Sequence, residues 1–74
     1  MKERIKEVLA TVLKREVDDA TSQDNCPEWD SLHHLNMIVE MEMAFDISFE
    51  PEEMGQMKSV ADIERLVKQK LGQA

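Results

Sequence analysis

The 74-residue chain lacks most of what marks a catalyst, a secreted scaffold or a membrane protein. A single cysteine, Cys26, rules out an internal disulfide framework and fits a reducing compartment. Two glycines and two prolines are too few for a turn-rich all-β domain, and no Gly-rich loop is present to cradle a phosphate. No stretch approaches the ~20 consecutive apolar residues of a membrane span, and no N-terminal apolar region reads as a signal peptide. A cytoplasmic protein is therefore expected, or a stromal or matrix form lacking its transit peptide. Nor is there a basic excess: 9 Lys and Arg stand against 16 Asp and Glu, net −7, which argues against nucleic acid as a partner. Apolar residues make up 42% of the chain, enough for one modest core. A chain this short buries only about 60% of its unfolded surface, so the expectation is a single domain over 1–74 without a deep catalytic cleft.

The charge is segregated. Twelve of the acids lie between Glu16 and Glu53, where there is no Lys or Arg at all; every basic residue falls in 2–15 or 58–70. Such a block repels itself and steers basic partners toward it. It reads either as a solvated acidic surface or as an acidic docking face.

Helical periodicity dominates the rest. Ile5, Val8, Leu9, Val12 and Leu13 form one stripe of an amphipathic helix over about 2–16, with Glu3 and Glu7 early and Lys14 and Arg15 late, as the helix dipole favours. Residues 18–29 lose the period and read as a long loop, a feature that in so small a domain is often functional. Trp29 is expected to fold its ring back over the core, with a partner contact as the alternative. A second helix starts at Asp30 or Ser31, both good N-caps, and runs to about Ala44 or Phe45. Phe45 to Phe49 alternates apolar and polar but has no strand to pair with, so it reads as an extended link dropping Ile47 and Phe49 into the core. Pro51-Glu52-Glu53 opens a short helical turn. Ser59 to Asp62 resembles a capping arrangement for a last helix with the stripe Val60, Ile63, Leu66, Val67 and Leu71, stopped by Gly72. The fold class is all-α: three main helices plus a short one, as a small bundle with a long loop after the first helix.

The second helix is apolar on two sides. With Ser31 at 0° and 100° per residue, Met37, Ile38, Met41 and Phe45 cluster at roughly 240–340°. Leu35, Val39 and Leu32 form another strip at about 40–100°, with Glu42 and Asp46 set inside it. His33, Asn36 and Glu40 fill the arc between at about 140–200°. The strip interrupted by carboxylates is the one expected at the surface, as a docking patch or as a cover for the long loop.

Ser31 stands at a helix start, where free backbone N–H groups favour an added negative group such as a phosphate ester, though most Asp-Ser pairs there only cap. A nucleophilic triad with His33 or His34 lacks oxyanion donors and a cleft. Cys26, His33 and His34 match no zinc spacing, and the acids around Asp18 and Asp24 lack the EF-hand order, so no metal is expected. The two histidines are expected to be exposed on the helix surface, with tuning of partner choice and pH sensitivity as the alternative role.

Asp30-Ser31-Leu32, the apolar-acidic helix, Phe45-Asp46-Ile47, Glu52-Glu53 and Ser59-Val60-Ala61-Asp62-Ile63 together resemble an acyl carrier protein, over nearly the whole chain. The resemblance implies a four-helix bundle that is not itself an enzyme. It implies a 4′-phosphopantetheine arm, moved from coenzyme A to Ser31 by a phosphopantetheinyl transferase, holding acyl groups as thioesters. By the same resemblance Asp30 assists transferase and Mg²⁺ recognition. Leu32, Leu35 and Val39 match the exposed patch, and Glu40, Glu42 and Asp46 meet basic docking surfaces on acyl-loading and acyl-transferring enzymes of fatty acid, polyketide or related biosynthesis. A monomer is expected. Trp29 in place of a small residue, with His33, His34 and Asn36 after the serine, implies a specialised carrier rather than one of primary fatty acid synthesis. An aminoacyl or peptidyl carrier and an unmodified acidic helical adaptor are the alternatives.

Overall fold

A computed structural model describes residues 2–72. Four helices follow in order: α1 (Lys2–Leu13), α2 (Ser31–Phe45), α3 (Pro51–Met54) and α4 (Val60–Leu71). The fold class read from the periodicity holds. On α1, Ile5, Leu9 and Leu13 are buried and Val8 and Val12 pack against them from the edge of the stripe. Full burial of such a side chain contributes about 1.5–3 kcal/mol.

α1 stops earlier than expected. Lys14 takes a left-handed conformation, φ 58°, and both its N–H and that of Arg15 point at the Ala10 carbonyl, at 2.8 and 3.4 Å. A glycine usually occupies such a position, and its absence hid the stop. Lys14 and Arg15 therefore lie beyond the helix, and Arg15 turns across to pair with Glu28 at 3.0 Å. Glu28 is held below the usual carboxylate range chiefly by that guanidinium.

The long loop is ordered by its own short polar side chains. Thr21 is buried; its hydroxyl accepts the Asp18 N–H (3.0 Å), and the Asn25 amide donates to the Ala20 carbonyl (2.8 Å). Gln23 N–H donates to the Lys58 carbonyl and Val60 N–H to the Thr21 carbonyl, at 2.8 and 3.0 Å, forming an isolated antiparallel bridge between Ser22 and Ser59. Cys26 and Trp29 are buried beneath the loop, as expected for the tryptophan.

α2 buries Met37, Ile38 and Met41. It ends at Phe45 with Asp46 left-handed at φ 56°, after which Phe49 enters the core and Ile47 packs at its edge. α3 is tied down through Glu53, whose carboxylate accepts the Glu50 N–H and the Lys70 ammonium, each at 2.7 Å. α4 is capped by Ser59, whose hydroxyl accepts the Asp62 N–H at 3.1 Å. It buries Val60, Ile63, Leu66 and Val67. Leu71, read as the end of that stripe, is instead 46% exposed, in the last turn of α4. Met57 is fully buried and Met54 partly so.

Candidate functional site

The site grows from the start of α2. Asp30, rather than Ser31, is the N-cap: its Oδ1 accepts the His33 N–H at 2.9 Å, with His33 Nδ1 donating to the same oxygen at 2.7 Å. The His33 N–H, then the ring, hold the Asp30 carboxyl below the usual carboxylate range. Ser31 is thereby released from capping. It is the first helical residue, exposed, and no protein group among the described residues hydrogen-bonds its hydroxyl. Its backbone N–H and that of Leu32 belong to the first turn, which has no carbonyl partners within the helix.

Beside Ser31 lies an open depression of about 540 Å³ lined by Gln23, Trp29, Asp30, Ser31, His34 and Leu35. Its wall is a hydrogen-bonded chain. The Trp29 indole N–H donates to His34 Nδ1 at 3.0 Å, the two rings stacking at 29° with centroids 6.2 Å apart. With Nδ1 accepting, the ring hydrogen sits on Nε2, which donates to the Met54 carbonyl at 2.7 Å. Both histidines, expected to be exposed, are half-buried and hydrogen-bonded. His33 is held locally, by the cap carboxylate of Asp30, whereas the partners of His34 come from the preceding loop and from α3. A larger surface groove, about 790 Å³, lies elsewhere, between α1 and α2, and Ser31 does not line it.

Down α2 runs the second apolar strip, and it is at the surface. Leu32, Leu35 and Val39 are 65%, 57% and 51% exposed, and Met43 reaches 70%. Sequence reasoning passed over Met43, although the wheel places it at about 120°, at the margin of the same strip. Glu40 and Asp46 are exposed beside it. Glu42 differs: it is half-buried, and its Oε2 accepts the Phe49 N–H at 2.8 Å, fixing the link after α2.

No family model and no curated protein matches this sequence. A solved structure does. The solution NMR structure of holo acyl carrier protein from Geobacter metallireducens matches with a TM-score of 0.83 and 30% identity, over 95% of this chain and 84% of that one. The chain belongs to the acyl carrier protein family. Its role is that of a carrier.

In this carrier the acidic block is sorted by the fold. Asp19 is paired with Lys6 and Lys2 at 2.8 and 3.8 Å, Glu28 with Arg15, and Glu53 with Lys70, so the basic ends neutralise the acids nearest α1 and α4. Among the described residues, Glu40, Glu42 and Asp46 have no Lys or Arg partner. Glu16, Asp18 and Asp24 of the long loop and Glu50 and Glu52 at α3 are likewise without one, so the uncompensated negative charge is spread over the loop, α2 and α3. Cys26 is not part of the site: its sulfur contacts Arg15 at 3.7 Å and Glu28 at 3.6 Å. Among the described residues there is no cluster of three or more potential metal ligands, and no helix long and apolar enough to cross a membrane.

Proposed function

We propose that the 1–74 chain is one carrier domain, acting as a monomer, with a 4′-phosphopantetheine arm attached to Ser31. The observation that carries this reading is the exposed, unbonded Ser31 hydroxyl at the first position of a 15-residue helix, with the cap made by its neighbour Asp30. A phosphodiester fits there: the first-turn N–H groups of Ser31 and Leu32 face it, and the positive end of the helix dipole favours its charge. When bound, the arm supplies a terminal thiol that holds an acyl group as a thioester. The chain's own residues do the rest. Asp30 keeps one carboxylate oxygen on His33 and leaves the other for a transferase-bound Mg²⁺. Leu32, Leu35, Val39 and Met43 give partner enzymes an apolar centre, and Glu40 and Asp46 meet their basic rims. Glu42 contributes charge while its geometry is set by Phe49.

Trp29 and the hydrogen-bonded His34 favour a specialised carrier serving polyketide, lipid-modifying or another dedicated biosynthetic route over one of primary fatty acid synthesis. The sole, buried thiol suits a cytoplasmic setting. The test is intact mass after incubation with coenzyme A, Mg²⁺ and a broad-specificity phosphopantetheinyl transferase. Wild type gains one phosphopantetheinyl group and Ser31→Ala gains none. A folded wild type that several such transferases leave unchanged would favour the unmodified adaptor instead.

A further inference from the structure

We propose that the Trp29–His34–Met54 hydrogen-bond chain is a latch across the seam between α2 and α3, one that keeps a chain tethered at Ser31 out of the core and so restricts this carrier to short or polar acyl groups. The inference rests on the reading of Ser31 as the attachment point. His34 lies three residues after Ser31, on the same side of α2, and lines the same depression. Both of its ring nitrogens are engaged, one by the loop and one by α3. α3 is a single turn of four residues and cannot hold its place by its own hydrogen bonds. Its position is set by ties to neighbours, and the His34 bond to the Met54 carbonyl is the one that joins it to α2 beside Ser31. Met37, Met41, Met57 and Ile63 are fully buried in the core that an entering chain would have to part. An apolar chain entering from Ser31 would have to part His34 from Met54 and strand two half-buried polar groups, a cost that a short or polar cargo, lying outside, never incurs.

The experiment uses the whole chain bearing butyryl or dodecanoyl groups, read by ¹³C-methyl NMR of Met41, Ile63 and Val67. In wild type neither cargo should move these core resonances. In His34→Leu, and in Trp29→Phe, which removes the indole N–H together with part of the buried ring, dodecanoyl alone should shift them. If dodecanoyl shifts them in wild type, or in neither variant of a folded protein, the latch is overturned. Arm attachment is checked first by mass, so its failure is seen separately. In that case Ser31→Cys, alkylated with a dodecyl reagent while Cys26 stays buried, carries the chain instead. On the unmodified protein, His34→Leu should speed amide exchange in α3 roughly fivefold to tenfold, as loss of one hydrogen bond predicts; unchanged exchange would count against the latch whatever Ser31 carries.

Discussion

Met41 and Met43 stand two residues apart on α2, yet one is fully buried and the other 70% exposed. The contrast extends along the helix. Met37, Ile38 and Met41 close the core, while Leu32, Leu35, Val39 and Met43, side chains of the same kind, face water. Apolar character alone does not decide which face is inside. What distinguishes the two is their neighbours: the exposed strip has carboxylates within and beside it, and a core this small cannot take in unpaired charge. One helix therefore has two faces, one holding the bundle and one left bare, which the proposed function assigns to partners.

The largest way to break that division is on the buried side. Met41→Ala should cost about 2–5 kcal/mol, against a total of about 4–11 kcal/mol for a domain this size. Urea unfolding followed by circular dichroism would measure it. Acid acts next, on the charged surroundings. Asp19, Glu28, Asp30 and Glu53 are held below their ordinary values of 3.8 for Asp and 4.5 for Glu, by Lys6, by Arg15, by the His33 N–H and by the Glu50 N–H and Lys70 respectively. A depressed carboxyl stabilises the fold above its ordinary value and ceases to do so as pH falls through its folded value. Stability from these four should thus be flat near neutrality and decline below about pH 4, a fall that high salt blunts because the pairs are exposed. Lys14→Gly should raise stability by up to about 1 kcal/mol, since relief of the left-handed strain exceeds the added freedom of the unfolded chain. Thermal unfolding checks it. Smallest in stability and sharpest for the comparison is Met43→Ala. It should change unfolding free energy by less than about 0.5 kcal/mol while weakening capture by a partner enzyme, measured by calorimetry on the loaded carrier.

Much of this was legible before any coordinates. The 3.6-residue period located three helices, Pro51 the short one, and the wheel separated the two faces of α2. The Asp-Ser-Leu run pointed to the candidate site. Part of what escaped reading was contacts with no pattern in the sequence, and part was where helices stop and how far their ends are covered. His34 meets Trp29 and Met54, five residues before and twenty after it, at no helical spacing that a pattern could show. The bridge between Ser22 and Ser59 is a backbone pairing without a composition signal. The end of α1 was missed because Lys14 bends the chain where a glycine is looked for, whereas Asp46, which ends α2 in the same conformation, is of a residue type more at home there. Leu71 keeps the period of α4 and is nonetheless 46% exposed, because periodicity marks the face of a helix and not how far along it the core extends.

The bare strip on α2 has a consequence for how copies of this protein tolerate one another. The surface proposed to meet basic partners brings Glu40 and Asp46 of one molecule against the same residues of the next whenever two copies meet strip to strip. With a net charge of −7 behind them, that encounter is repulsive at physiological ionic strength, where the Debye length is about 8 Å. Apolar stickiness and self-avoidance thus coexist on one helix, and the protein can be abundant without its exposed strip being covered by its own kind. Concentrated salt, which shortens that length to about 3 Å at 1 M, is the condition under which this colloidal protection lapses.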